Sequence, residues 1–385
     1  MRNPLMTSFR KCVEAVLGQD KVLVVSYAKP SQPIKNWYRK WQAPEGMEAP
    51  DPAKRGHTYD TLEKKLGKLI QGKRIASVTY IWMQGEADAG KGWGKVYKKS
   101  FLGVLDQLKA FLKIDSINFV VGRINEYWLD QPDGELMRKI LVELGEDHPN
   151  GDWINTDDLN RGVNPWGGFS YEDGHFPPSG YRVMGQRFAK KACQLVQPDV
   201  NLNHPVFTEV FFDSANQIST HVAIGKGVSG SVPDPKHQGE KAGLARLTDG
   251  KFGTKSHSDP NWIGFAPSKA TLELIVDLGE VVSLESVAVN TLVSTEARAE
   301  FPDRITFSKS IDRTDYSGHG NRYHNITANE GRGKLRLPGK ESIGPDALLL
   351  LNDMNGAKAR YIKVEIQTGS QWVFIDEIIV NPKGK

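Results

Sequence analysis

Hydrophobic positions in the first half of the chain alternate between helical and strand-like spacing. The pattern predicts a helix over residues 7–17 that ends at Gly18, and the continuous apolar run 22–25 predicts a strand buried on both faces. Further helices are predicted over 60–70, over 96–112 and from after 178–180 to about 195, and further strands over 75–81, 117–121 and 153–155. This alternation favours an α/β fold with a mostly parallel, doubly wound sheet.

The pattern changes near residues 198–205. Beyond them, short β-rich runs such as 271–277 and 286–292 are separated by Gly, Pro and Asp turns, which favours an all-β sandwich of separate strands. At 385 residues the chain is also longer than one hydrophobic core usually serves. We therefore predict two domains, residues 1–198 and 205–382.

Composition excludes several classes of protein. The 50 basic and 46 acidic residues are spread along the chain, so nothing indicates a nucleic-acid footprint. No stretch has the run of apolar residues that a membrane span needs, and the N-terminus lacks the apolar core of a signal peptide. Cys12 and Cys193 give no disulfide framework or zinc-site spacing, and buried free thiols are favoured over a bridge.

Two polar segments suggest ester chemistry. Trp-Met-Gln-Gly-Glu-Ala-Asp, residues 82–88, directly follows the predicted strand 75–81, and Asp-Gly-His-Phe occupies residues 173–176. Open α/β sheets place ligand chemistry at the carboxyl ends of their strands. His175 is a candidate base because its ordinary pKa is near neutral, and Asp173 or Glu172 is close enough in sequence to orient it. Gln84 is a candidate oxyanion donor.

The remaining polar residues of the 82–88 segment have a supporting role in this interpretation. We expect Glu86 and Asp88 to hold the loop, together with Gly85, by accepting backbone hydrogen bonds.

The segments 82–88 and 173–176, together with 120–124 and 180–185, resemble the sialate O-acetylesterase-like branch of the SGNH hydrolases, close to carbohydrate esterase family six. The resemblance covers about residues 5–196 and implies a flavodoxin-like parallel sheet. It also implies a serine esterase that removes acetyl groups from polysaccharide or sialic-acid-like sugars without a catalytic cofactor. In this family the Gln-Gly-Glu loop supplies an oxyanion donor, which maps to Gln84, and the acid and base map to Asp173 or Glu172 and His175.

The chain departs from the family pattern at two places. It contains no Gly-Gln-Ser-Asn block, which in the family follows the first strand and carries the nucleophile. In the loop 28–37, Pro30 has no N–H to offer an oxyanion where the family has a glycine nearby. Ser31 and Ser8 are poor substitute nucleophiles because neither is predicted in a strand-to-helix elbow.

The missing block leads to an expectation about the sheet. In the flavodoxin-like order the first strand separates the strands 22–26 and 75–81, so we expect the natural product to begin upstream, with a signal peptide, the first strand and the serine. The chain as printed is expected to be inactive. The alternative is a non-catalytic glycan-binding protein with a degenerate SGNH scaffold.

The second half resembles a discoidin, or coagulation-factor type C, galactose-binding-like jelly roll over about residues 205–382. The segments that carry the resemblance include Leu-Thr-Asp-Gly at 247–250, Trp-Ile-Gly-Phe at 262–265 and the run 372–378. The resemblance implies a structural Ca²⁺ held by Asp249 and Glu377. An acetylated carbohydrate partner and a secreted or periplasmic location are likewise implied only by the families.

Overall fold

The structure, a computed structural model, describes residues 4–384 apart from 49–50, 52–53, 161–173, 177, 208–211, 213, 232–242, 295, 300–301, 303, 319–322, 325–345 and 371. The chain forms two compact units. The α/β unit comprises Leu5–Asp158 and Arg182–Glu209, and the β unit comprises Met1–Pro4, Leu159–Tyr181 and Val210–Lys385.

A parallel sheet is the centre of the α/β unit. Within the described residues it has three strands in the order β1-β2-β3, with β1 at Thr79–Trp82, β2 at Asn118–Gly122 and β3 at Gly151–Ile154. The helices are α1 (Pro4–Leu17), α2 (His57–Ile70), α3 (Glu86–Ala89), α4 (Gly94–Leu112), α5 (Gly134–Glu146) and α6 (Pro178–Val196). Because parallel neighbours need a crossover, α4 connects β1 to β2 and α5 connects β2 to β3.

The central strand β2 is buried on both faces. Phe119 and Val121 join one large cluster, in which the ring of Phe101 lies 5.2 Å from that of Phe119. On the other face, a side chain at Gly122 would lie 3.0 Å from the ring of Phe188 in α6. A side chain at Gly185 of the same helix would meet the backbone of α1. These glycines allow the helix to pack closely.

The helices follow the sequence pattern more closely than the extended segments do. The helices predicted over 60–70, over 96–112 and from after residue 180 to about 195 are confirmed as α2, α4 and α6, although α6 already begins at Pro178, and Gly18 follows α1 with φ +95°. The strand predicted over 22–25 is wrong: these residues are described and form no strand, and Leu23 is 48% exposed. An apolar run forms a strand only where a neighbour completes its backbone hydrogen bonds, and no described strand pairs with it.

Helix α5 was missed, although its signal is present in the sequence. Met137, Ile140, Leu141 and Leu144 recur at helical spacing, and all four are buried. The helix packs against β2 and β3. It therefore supplies the crossover that the predicted alternation lacked between its last two strands.

Two long antiparallel strands organise the β unit: β7 (Leu272–Val293) and β11 (Asp346–Gln367). The other described strands are β4 (Ile218–Thr220), β5 (Gly227–Ser231), β6 (Ile263–Phe265), β8 (Arg304–Ser310), β9 (Ser317–Gly318), β10 (Tyr323–His324), β12 (Val373–Val380) and β13 (Lys383–Gly384). Residues 272–277 of β7 pair with 361–366 of β11, and β5 and β8 extend this part. Residues 284–293 pair with 346–357, and β12 and β6 extend that part.

The β unit is thus an antiparallel sandwich, as predicted. The runs 271–277 and 286–292, expected as separate strands, join into β7, which passes through Gly279 at φ +84°. Leu272, Leu274, Val276 and Leu278 are buried while the residues between them are partly exposed, which is the alternation of a strand with one face on the core. Among the helices that the structure describes, none is long and apolar enough to cross a membrane.

Candidate functional site

The segment 82–88 leaves the sheet at the carboxyl end of β1. Trp82 is the last residue of β1, and Gly85 immediately precedes the short helix α3. Gly85 has φ +153°, and a Cβ there would lie 3.0 Å from the Met137 side chain and 3.3 Å from Ile124. A glycine is needed both for this backbone conformation and for the close approach. The turn therefore brings Gln84 to the edge where ligands bind in open α/β sheets.

The side-chain amide of Gln84 is held at both ends. The Tyr97 hydroxyl donates to Oε1 at 2.8 Å, and Nε2 donates to Asp88 Oδ2 at 2.7 Å. The Trp82 indole N–H donates in turn to the Tyr97 oxygen at 2.8 Å. Burial raises the pKa of Tyr97 well above its ordinary value, so the hydroxyl remains a donor. Trp82, Tyr97, Gln84 and Asp88 form a continuous hydrogen-bonded chain, called here the amide clamp.

Asp88 is completely buried, with an exposed fraction of 0%. Its Oδ2 also accepts the main-chain N–H of Ile34 at 2.9 Å. Desolvation raises the pKa of Asp88 to about 7, against the opposing effect of the hydrogen bonds from Gln84 and Ile34; Glu86 raises it further and Lys91 lowers it. Oδ1 is buried and has no hydrogen-bond partner among the described residues. One oxygen therefore makes both contacts.

The loop 28–37 is joined to the amide clamp by the Ile34 N–H. Ile34 begins a short 3₁₀ turn, and Ser31 before it has φ +56°. The Ser31 residue is exposed in this loop, and Ser8 is a buried residue of α1. Neither serine follows a strand, as a nucleophile elbow would require. No sequence pattern indicated that the loop donates to Asp88, because only the tertiary fold brings the two together.

A second polar network lies at the carboxyl ends of β2 and β3. Arg138 Nη2 lies 3.0 Å from both carboxylate oxygens of Asp157, and Arg123 pairs with the same carboxylate. The Thr156 hydroxyl donates to the Arg123 carbonyl at 2.5 Å. The network fixes the residues that follow β3. Sequence reasoning missed it, although an Arg directly after one strand and an Asp three residues after the end of the next were a usable signal.

His175 is described only with its immediate neighbours. Its side chain is exposed, while Phe176 is buried and its ring lies 5.6 Å from that of Tyr181 in an edge-on contact. Glu172 and Asp173 lie outside the described residues. Gln84 belongs to the α/β unit and His175 to the β unit. Their meeting in one site therefore stays a prediction.

Glu377 is the predicted calcium ligand that the β unit buries. It follows an irregularity in the β12–β7 pairing, and its carboxyl oxygens accept the Gly250 N–H at 3.2 Å. His221 Nε2 lies 3.0 Å from Oε1, without the angle of a hydrogen bond. Desolvation raises the pKa of Glu377 to about 8, the charge of Asp249 raises it further, and desolvation lowers the pKa of His221 to about 4. The Glu–His pair is largely neutral at pH 7.

The neighbouring residue Asp376 is buried in a different set of contacts. Its Oδ2 accepts the Gly253 N–H at 2.6 Å and the Asn290 side-chain N–H at 2.8 Å, and burial raises its pKa well above the ordinary value. Asp249 is partly exposed and accepts the Lys251 N–H at 2.9 Å. Across the described residues, no group of three or more His, Cys, Asp or Glu side chains is arranged for a metal ion. Further calcium ligands would have to be other oxygen atoms.

Residues 4–194 match the family described as carbohydrate esterase, sialic acid-specific acetylesterase. The match covers just under half of the chain, and this region is similar to that esterase family. The matched span contains the amide clamp, the network around Asp157 and His175. No curated protein matches the chain significantly.

Three solved structures are similar to part of the chain. They are the lectin domain of lectinolysin complexed with Lewis B antigen (18% identity, 43% of this chain and 99% of that chain, TM-score 0.29), a Streptococcus pneumoniae fucose binding module (16%, 42% and 94%, 0.29) and the C-terminal domain of a chitobiase from Bacteroides fragilis (15%, 42% and 95%, 0.28). These TM-scores are too low to carry an argument about fold or ligand.

Proposed function

We propose that the α/β unit is the esterase region of a carbohydrate O-acetylesterase of the SGNH type, with a flavodoxin-like sheet. The observation that carries the proposal is the fixed amide of Gln84, held by Tyr97 and Asp88 at the carboxyl edge of a parallel sheet in the segment that matches the esterase family. A donor that is fixed before the reaction stabilises a developing oxyanion without the cost of reorganisation.

The proposed reaction is acyl transfer through a serine. The serine oxygen attacks the acetyl carbonyl carbon while His175, oriented by Asp173 or Glu172, accepts the hydroxyl proton. The carbonyl oxygen becomes an oxyanion and accepts an N–H from Gln84. Collapse breaks the bond to the sugar oxygen, which takes the proton from His175, and water then releases acetate from the acyl-serine. Because the sequence contains no Gly-Gln-Ser-Asn block, we propose that the chain as printed is inactive or nearly so.

Two measurements test this proposal. The first is acetate release from 4-nitrophenyl acetate and from O-acetylated sialic acid, where we expect the rate of buffer alone for the chain and for His175→Ala. Release well above buffer that is lost in His175→Ala would show that the chain holds its own nucleophile and would overturn the proposed inactivity.

The second measurement is saturation-transfer NMR with an O-acetylated sugar and its deacetylated form. We expect preference for the acetylated form, reduced by up to about tenfold in Gln84→Ala, because one hydrogen bond to the carbonyl is lost. Gln71→Ala, at the exposed C-terminal end of α2, is the matched control and is expected to bind like the unaltered chain. Equal binding of both sugars by all three proteins would contradict the esterase site.

The unaltered chain and these variants also test the alternative, a non-catalytic glycan-binding protein. Strong binding on a glycan array, unchanged in Gln84→Ala and His175→Ala, would favour that function over the esterase. In either case we propose a secreted or periplasmic protein, and fractionation of cells that express the natural gene is the test.

We also propose that the β unit binds a structural Ca²⁺ through Asp249 and Glu377. Carboxylate oxygens are the ligands that Ca²⁺ prefers. The charge of Asp249 acts on the buried Glu377 carboxyl, and no arginine or lysine is paired with Glu377 among the described residues. Bound Ca²⁺ would favour the ionised carboxyl. The test is the melting temperature in calcium and in chelator: a rise with calcium that is absent in Glu377→Gln supports the site, and equal melting temperatures contradict it.

A further inference from the structure

We propose that Asp88 is a positioning residue for the oxyanion donor: together with Tyr97 it clamps the Gln84 amide so that one Nε2 N–H is left for the acyl oxygen, and a neutral carboxyl group is sufficient for this. The inference rests on the proposed function of Gln84. It assigns to Asp88 more than support of the loop backbone.

The first step of the argument is the number of protons on the amide. Gln84 Nε2 carries two N–H groups, and one of them is donated to Asp88 Oδ2 at 2.7 Å. Rotation of the amide to present the other end is opposed by Tyr97, whose hydroxyl lies 2.8 Å from Oε1 and also 2.8 Å from the Gln84 main-chain oxygen, so that its one hydrogen is shared between these two acceptors. A flipped amide would leave the hydroxyl only the main-chain oxygen to donate to and, with the Asp88 proton on Oδ1, would place two acceptors against each other at Asp88. The second N–H is therefore the one donor that the clamp leaves available.

The second step is the contact with the loop 28–37. The oxygen that accepts from Gln84, Oδ2, also accepts the Ile34 N–H at 2.9 Å. In this way Asp88 fixes the loop 28–37, where the family places another oxyanion donor, relative to the Gln84 loop. Because both hydrogen bonds end on Oδ2, a shift of either loop would lengthen one of them.

The third step concerns the charge of Asp88. Oδ1 is buried and has no hydrogen-bond partner in the described part of the chain, so it can carry a proton while Oδ2 keeps both contacts. The charged groups that act on Asp88 are Glu86, which opposes ionisation, and Lys91, which favours it; the buried Tyr97 phenol stays neutral. A neutral carboxyl avoids a second negative charge behind the Gln84 amide when the oxyanion forms.

The experiment follows the Gln84 side-chain amide by NMR in protein labelled with ¹⁵N-glutamine, assigned by its loss in Gln84→Ala. In the unaltered chain we expect two resolved Nε2 protons, one of them protected from exchange with water. Asp88→Asn is nearly the same shape and uncharged, and its side-chain oxygen can accept both N–H groups. We expect it to keep this signature, whereas Asp88→Ala loses about tenfold of the protection because one hydrogen bond is removed.

The controls separate the clamp from general destabilisation. Asp106→Asn removes an exposed carboxylate of α4 and is expected to leave the Gln84 signals unchanged. Tyr97→Phe releases Oε1 and is expected to make the two Nε2 protons exchange places, which decides the clamp if Asp88→Ala fails to fold. Unchanged signals in both Asp88→Ala and Tyr97→Phe would overturn the clamp.

Loss of the signature in Asp88→Asn, with retention in the unaltered chain, would show that the charge is required and would overturn the neutral carboxyl. The readout needs neither sugar nor catalysis. Failure of the sugar-binding test would therefore contradict the proposed function and leave this result standing on its own.

Discussion

The two units bury carboxyl groups in different ways. In the α/β unit, Asp88 is connected to the polar side chain of Gln84 at the edge of a sheet. In the β unit, Asp376 and Glu377 are in the middle of a sandwich strand, where Glu377 accepts the Gly250 N–H and Asp376 accepts the Gly253 N–H and an Asn290 side-chain N–H. Desolvation raises the pKa in every case. Neither a raised pKa nor a bond to a side-chain amide therefore marks a reaction site by itself; what differs is the position, at the carboxyl edge of a parallel sheet for Asp88 and inside a sandwich strand for the other two.

The largest effect is expected at Glu377. Its pKa rises from 4.5 unfolded to about 8 folded, so folding without calcium takes up a proton between these values and the free energy of unfolding decreases as pH rises from 4.5 to 8. The shift corresponds to about 5 kcal/mol at most. Urea unfolding in chelator at pH 6.5–8 measures this slope together with smaller contributions from His221 and Asp88, which the comparison with Glu377→Gln subtracts.

Glu377→Gln is expected to remove most of this slope, and the exposed Glu280→Gln to leave it unchanged. An equal slope in both variants would mean that Glu377 is ionised in the folded β unit even without calcium. The two units would then also differ in the charge of their buried carboxyl groups.

A similar effect is expected for Asp88 in the α/β unit. Its pKa rises from 3.8 to about 7, so the charged form is penalised in the folded protein and stability decreases as pH rises through this range, by about 4 kcal/mol at most. Asp88→Asn should flatten the profile between pH 4 and 7 and should increase stability at pH 8. Asp106→Asn serves as the exposed control, and a profile for Asp88→Asn that matches it would contradict the burial of a neutral carboxyl.

A smaller effect is expected for Gly85→Ala. The new methyl group would approach Met137 at 3.0 Å with φ at +153°, so we expect a loss of about 1–3 kcal/mol in the free energy of unfolding. Gly46→Ala has a positive φ of +78° without any atom within 4 Å, and the difference between the two variants gives the cost of the contact. Equal losses would show that the turn before Glu86 has room to adjust.

The smallest effect is expected at the surface of the α/β unit. Lys98 Nζ lies 2.8 Å from Asp147, with both side chains well exposed, and such pairs contribute about 0–1 kcal/mol. Lys98→Ala should change the urea midpoint little, and less still in high salt. A loss comparable to that of Gly85→Ala would mean that exposed charges matter in this unit as much as packed loops.

Sequence patterns located most of the long helices and the Gln84 turn, but not α5 or the contacts that fix the turn. Helical spacing is set by local geometry, so α2, α4 and α6 could be read directly. Residues 22–25 could not be judged, because a strand depends on a neighbour elsewhere in the chain. Tyr97 and Ile34 reach the amide clamp from separate elements, and no local signal marks a tyrosine of α4 or a main-chain N–H as a partner.

The Ile34 contact with Asp88 is made by the main chain, which limits how it can change. Almost any side chain at position 34 preserves the donated proton, and among the standard amino acids proline alone lacks it. An engineer who grafts a serine-bearing segment onto this scaffold therefore keeps the side chain of Ile34 for its packing, since it is fully buried in the core, and not for this hydrogen bond. The number of residues between the graft and that peptide nitrogen is the quantity to conserve.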